Sequence, residues 1–307
     1  MAAKKKSKTE AVRYLRYEVA NSGNPGTETS HYIDIAKDLS RINRRLYRQG
    51  RAYHVKRITV ISSNTPNLGN RVSFATAPDS WVSRMSWKRG FKLWNQMNKK
   101  ASMGIQGDIA GTWSDFKVYL TDDMRTGNIV GPKDNGGNFY AAGEWNYAEI
   151  VSPDGTTSAD PFYLHLLGDH NGSAGAWTSV GLVESYGDSR ATVQFQDPSL
   201  PAAASDDPLV NAFDDGTVTD EILNDLEEQN DTPPYSHGNY PGAAANGPKP
   251  NIVQDTTIVD GRATVGGFTA MCGLIEVETT SAVPNDVFSI LVEIAPGSYR
   301  GIAADVI

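Results

Sequence analysis

Two kinds of hydrophobic spacing alternate along this 307-residue chain. Towards its ends the period is two, as in strands with one buried face. Ile275 and Val277 point one way while Leu274, Glu276 and Glu278 point the other. Phe288, Ile290, Val292 and Ile294 repeat the pattern before the turn at Pro296-Gly297. Residues 14–19, 31–35, 53–62 and 71–76 read as further strands, punctuated by turn formers such as Asn21-Ser22-Gly23-Asn24-Pro25-Gly26. In the second of these, Tyr32 and Asp34 are expected on the face opposite Ile33 and Ile35. Segments 116–121, 147–151, 163–167, 180–184 and 192–195 are β-rich within long loops.

Helical spacing interrupts the strands twice before residue 103. Leu39, Ile42 and Leu46 predict a helix over 38–49 capped by Gly50, with Arg41, Arg44, Arg45 and Arg48 on its opposite face. Pro78-Asp79-Ser80 is a start signal, with Asp79 or Ser80 as the cap, for a second helix. Its Trp87, Phe91 and Trp94 form one stripe, read as core packing or a subunit interface. Residues 206–228 read as an acidic helical insertion and 229–250 as a Pro/Gly/Asn-rich loop. Eight to ten strands, mostly joined by turns instead of crossover helices, predict a mainly β protein. The expected architecture is an antiparallel jelly-roll β-sandwich with two or three inserted helices. Residues 1–12 form a flexible basic arm in this reading, and 13–307 a single domain.

Composition narrows the function classes. A single cysteine, Cys272, excludes an internal disulfide framework and a cysteine-rich zinc site. No stretch reaches the roughly 18 apolar residues of a membrane span. The start lacks the apolar core of a secretory signal, which leads us to expect an intracellular, reducing setting. The net charge of -8 is unevenly spread. Residues 1–100 hold 21 of the 28 Lys and Arg but only 6 of the 36 Asp and Glu, a balance of +15 against -23 over the rest. Such separation suits a polyanion-facing part, or contacts between oppositely charged subunits.

Candidate chemistry follows the basic part. Lys4, Lys5, Lys6 and Lys8 are placed to track a phosphate backbone, together with Arg13, Arg16, Arg51 and the arginines of the predicted helix face. Tyr14, Tyr17, Tyr47 and Tyr53 are interleaved with them as possible stacking partners for unpaired bases. Acidic protein surface is the competing partner. The five histidines, His31, His54, His165, His170 and His237, have no zinc-binding spacing. The local group His165, Asp169 and His170 reads as a strand followed by a turn. Asp134-Asn135-Gly136-Gly137-Asn138 reads as a hairpin turn, with a calcium loop as the alternative. No metal, cofactor or catalytic residue is expected.

Several strings resemble the capsid proteins of small environmental circular single-stranded DNA viruses. They are Tyr14-Leu-Arg-Tyr-Glu-Val, Ser40-Arg-Ile-Asn-Arg-Arg-Leu-Tyr-Arg-Gln-Gly, Ala77-Pro-Asp-Ser-Trp-Val, Trp87-Lys-Arg-Gly-Phe-Lys-Leu-Trp, Met271-Cys-Gly-Leu-Ile-Glu-Val-Glu and Ala295-Pro-Gly-Ser-Tyr-Arg-Gly. The resemblance implies a jelly-roll structural protein without enzymatic activity. It would self-assemble inside the host cell into an icosahedral virion around single-stranded DNA, without a membrane. Many such capsids open with a long arginine-rich arm, whereas only Lys4, Lys5, Lys6 and Lys8 stand here. That moves the weight of packaging to Arg13, Arg16 and the arginines from 41 to 51. The competing class is a lectin- or adhesin-like β-sandwich, binding carbohydrate or calcium through its loops, and a β-sandwich hydrolase using Glu144, Glu149 or Asp169 ranks last.

Overall fold

The computed structural model describes residues 10–62, 69–102, 115–141, 143–153, 159–173, 176–189, 242 and 250–307. The four lysines of the arm, His237, segments 192–195 and 206–228, and nearly all of 229–250 lie outside the described residues.

In chain order the elements are β1 (Tyr14–Ala20), β2 (Thr29–Asp34), α1 (Ile35–Asn43), β3 (Arg51–Ser62), β4 (Arg71–Thr76) and α2 (Trp81–Ser102). There follow α3 (Asp122–Thr126), β5 (Glu149–Pro153), β6 (Ala159–His165), β7 (Asn171–Ser173), β8 (Ala176–Gly181) and α4 (Leu182–Asp188). The chain closes with β9 (Asn251–Thr257), β10 (Arg262–Val265), β11 (Phe268–Met271), β12 (Leu274–Thr280), β13 (Val287–Ile294), β14 (Pro296–Gly297), β15 (Gly301–Ile302) and β16 (Ala304–Val306).

The protein is mainly β, and its two principal sheets are antiparallel. The first runs β1-β13-β3-β10, with β11 and β16 also paired to β3. The second runs β2-β12-β4-β9. A register shift between Glu293 and Ile294 marks a bulge where β13 meets β3, and a bulge bends its strand. The first sheet accordingly curls. The alternation read from the sequence decides which side is inside. From the first sheet Leu15, Tyr17, Val55, Ile58, Val60 and the Phe288-to-Ile294 series face inward. They meet Ile33, Phe74, Ile275 and Val277 of the second sheet in one buried core.

Beside this core lies a smaller one. Trp87 of α2, Phe116, Leu164, Leu182 and Leu274 belong to it, next to the sheet β5-β6-β8-β7. Here β6 and β8 run parallel, the exception to an otherwise antiparallel pattern of sheets. The aromatic stripe of α2 stacks along itself, Trp87 on Phe91 at 5.3 Å, and Trp94 packs at the edge of the core. Ser80 is the cap, its hydroxyl accepting from the Ser83 N–H, while Asp79 binds Arg84.

Four expectations need correction. The described residues hold sixteen strands and four helices, not eight to ten and two or three. Segment 180–184 divides into the end of β8 and the start of α4, and 116–121 contributes one bridge, Tyr119 to His165, instead of a strand. Ile35 opens α1 instead of continuing β2, because the Asp34 carboxylate accepts the Lys37 N–H and caps a helix there. Both faces of β2 are buried, Tyr32 against the smaller core and Ile33 in the main one.

The fourth concerns the arginine helix. It spans Ile35–Asn43 and stops at Arg44, whose φ of 50° is left-handed. Tyr47 must enter the main core, and the Ser40 hydroxyl accepts its N–H, turning the chain back. Gly50 therefore does not cap a helix. A side chain there would meet the Trp87 ring at 2.8 Å.

Candidate nucleic-acid interface

With α1 ending early, the predicted arginine face becomes two groups. Arg41, Arg44 and Arg45 line a cavity of about 190 Å³ together with Lys37, Ser40 and Trp145. Arg41 lies 3.8 Å from the buried Asp38 carboxylate. Arg44 donates to the Ala141 carbonyl at 3.3 Å, and Arg45 is exposed. Burial lowers the pKa of Lys37, against the opposing pull of Asp34.

The second group surrounds Tyr299. The Arg51 guanidinium stands 3.6 Å from the centre of that ring, and the Arg48 N–H donates to its hydroxyl at 3.2 Å. The exposed Arg48 side chain is 4.0 Å from Asp115. Arg300 adds a cation, its guanidinium bonded to the Leu46 carbonyl.

Arg13 and Arg16 lie at the edge strand β1, and Val12 just before them exchanges two hydrogen bonds with Asn43 at the end of α1. Arg13 donates to the Ile294 carbonyl at 3.2 Å. Arg16 points outward from the first sheet and is bonded to Glu18, which Lys133 also holds at 2.6 Å. On the same outer face Glu293 is nearly buried between Lys56 and Arg57, at 2.7 and 2.8 Å. These partners hold the carboxyls of Glu18 and Glu293 below the ordinary range, through hydrogen bonds led by Lys133 and Lys56 respectively.

Three of the four tyrosines proposed for base stacking are in the core. Tyr17, Tyr47 and Tyr53 are fully buried, each with its hydroxyl satisfied: by Asp38, the Arg300 carbonyl and the Arg48 carbonyl. An aromatic ring with a bonded hydroxyl gains more from burial than from exposure. Only Tyr14 is accessible. The aromatic rings beside the arginines are instead Trp145 and Tyr299. Neither adjoins the arginine run in sequence, although Tyr299-Arg300 was visible as a paired aromatic and cation in a turn.

A buried carboxylate organises this region. Asp34 Oδ2 accepts from Gln49 Nε2 at 2.8 Å, Trp145 Nε1 at 3.1 Å and the Tyr147 hydroxyl at 3.1 Å, while Oδ1 caps α1. Burial raises its pKa and these donors oppose the rise. Asp38, one turn along, is pushed up to about 8 by burial.

The outer face of the second sheet is opposite in sign. Glu276 and Glu278 line a cavity of about 780 Å³ with Glu28, Asp122, Asp123 and Asp169. Arg71 is the one lysine or arginine among its described lining residues. It is engaged by Asp255 through two bonds of 2.8 Å and by Glu28 at 2.7 Å.

The remaining candidates resolve into structural roles. His165 is buried, bonded to the Ser179 hydroxyl and, at 2.9 Å, to the Asp169 carbonyl. His170 Nδ1 accepts the Gly181 N–H, so this group fastens the end of β8. In the 134–138 loop the Asp134 carboxylate accepts the Asn138 N–H and Lys133 bridges Phe139, which makes it a hairpin turn. Among the described residues no group of three or more His, Cys, Asp or Glu side chains is placed to hold a metal ion. No family model, curated protein or solved structure matches the chain.

Proposed function

We propose that this chain is a viral structural protein whose copies assemble into an icosahedral shell and enclose single-stranded DNA against their basic side. The strand order carries the reading. Take β10 and β11 as one strand broken along β3, set aside the short C-terminal β16, and number the remaining strands of the two principal sheets from one to eight. The sheets then run 1-8-3-6 and 2-7-4-5. The pairs 1·8, 2·7, 3·6 and 4·5 are those of a single long antiparallel ribbon, and the pairs 8·3 and 7·4 are those made when the ribbon is rolled up. That order supports a jelly-roll reading, an architecture of viral capsid and lectin domains.

Charge favours the capsid member of that pair. One outer face presents Lys56, Arg57 and Arg16, with the arginine groups of residues 41–51 near its edge, and the other presents the acidic cavity. A shell that encloses a polyanion needs such a division, and its role is structural, not catalytic. The self-bonded 134–138 turn offers no comparable support for the calcium-binding alternative.

Negative-stain microscopy of the purified protein, with the 260/280 nm absorbance ratio of the same fraction, tests the proposal. Uniform closed particles with excess 260 nm absorbance are expected. A clean monomer or small oligomer without nucleic acid overturns it.

A further inference from the structure

The cavity at the end of α1 is more specific than a basic surface. Four cations line it, Lys37, Arg41, Arg44 and Arg45, against one carboxylate, Glu144. Trp145 forms part of its wall. The indole ring is fixed in place, by the bond from Nε1 to Asp34 and by Lys117 Nζ at 4.7 Å from its centre. Arg41 Nε is buried without a hydrogen-bond partner. Buried donors are ordinarily satisfied, so beside this hollow the fold alone leaves a cation unsaturated.

We propose that the cavity holds one nucleotide of a single strand, its phosphate among Lys37, Arg44 and Arg45 and its base against Trp145. The inference rests on the DNA-enclosing reading above and names the unit that is recognised. Planar guanidinium groups match phosphate oxygens in pairs. A rigid aromatic ring beside cations takes an unpaired base, whereas the bases of a duplex are already stacked on one another. An acidic peptide would answer the cations but leave the indole without a role.

The test compares full-length protein binding to labelled oligothymidylate and to an abasic strand of equal length, each titrated with salt. Oligothymidylate should bind roughly ten- to a hundredfold tighter, the effect of one stacked base. The double variant Arg44→Asn, Arg45→Gln should lose most of that difference and flatten the salt slope by about 1.4, two phosphate contacts at about 0.7 each. Asparagine suits the left-handed backbone at position 44, so the fold is retained. The exposed pair Lys99→Gln, Lys100→Gln should leave the difference between the strands intact.

Equal affinity of the wild-type protein for the two strands overturns the proposal, independently of any variant. So does poly-glutamate competing as well as oligothymidylate, which would assign the cavity to an acidic chain. Failure of this site and failure of the shell are separable. DNA-filled particles with no base preference sink the cavity alone, and base-dependent binding without particles sinks the shell alone.

Discussion

The outer faces of the two principal sheets are built by one rule with opposite signs. On the first, acids are the minority, and two of them are held by two cations each: Glu293 by Lys56 and Arg57, Glu18 by Lys133 and Arg16. On the second, Arg71 is the minority cation and two acids, Asp255 and Glu28, hold it. In both cases the minority charge is consumed locally, and the surplus of the face is left for a partner. Opposed faces of this kind make one molecule complementary to a polyanion on one side and to a cationic surface on the other.

The largest effect should come from cutting the tie between the basic cavity and the second sheet. Asp34 ends β2 and bonds Trp145, Tyr147 and Gln49 while it caps α1. Asp34→Ala would orphan four donors in a buried site, and we expect a loss of about 3–5 kcal/mol in urea unfolding. A loss below about 1 kcal/mol would mean that these donors find water and that Asp34 is not the tie.

Next in size is the basic face itself. Glu293→Gln keeps the shape of the side chain and releases Lys56 and Arg57 from their ion pairs. Binding to single-stranded DNA should strengthen, with a salt slope steeper by up to about 1.4. An unchanged slope would show that the face does not meet polyanions, and the comparison of the two faces would lose its functional meaning.

How much of this was legible beforehand differs between the cores. The strands of the main core announce themselves, because Phe288, Ile290, Val292 and Ile294 alternate without exception and face one core. The smaller core does not. Phe116, Leu164 and Leu182 reach it from a segment without regular structure, a partly parallel strand and a short helix, and no single period describes them. The arginines read as one helix face, whereas the structure divides them into two groups. Leu39, Ile42 and Leu46 fit a helical period, but the core demanded Tyr47, and tertiary burial outweighed local spacing. Trp145 and Tyr299, the rings that matter there, come from segments far away in the chain, and spacing cannot reveal a contact of that kind.

A pH profile separates the paired acids from the buried one. Glu18, Glu293 and Asp255 are held below the ordinary carboxylate range by their partners. Their contribution is present above the unfolded pKa and is lost as pH falls through the lower folded values. Asp38 runs the other way. Its folded pKa is raised to about 8, so the fold favours its protonated form, and stability declines as pH rises from about 4 towards 8. Asp38→Asn retains an acceptor for the Tyr17 hydroxyl and should remove that decline, so that variant and wild type differ most near pH 8 and least near pH 4. The chemical-denaturation midpoint at several pH values is the readout, and parallel curves would refute the assignment to Asp38.

The smallest effect is expected at Arg71, on the acidic face. Its partners are exposed, and exposed ion pairs contribute little because water screens them. Arg71→Gln should lower the thermal midpoint slightly at low ionic strength and not at all in molar salt, where the screening length falls to about 3 Å. The same variant lets Asp255 return towards its ordinary range, which narrows the stability difference between neutral and acidic pH. Its value lies in the sign of a second readout. With the one lysine or arginine among the described residues of the cavity wall neutralised, a cationic partner such as polylysine should bind more tightly, the mirror of what Glu293→Gln does for DNA. Should polylysine binding stay unchanged while DNA binding responds to Glu293→Gln, the rule of opposed faces would hold for one sheet only, and Arg71 would be a clasp between β4 and β9 with no bearing on partners.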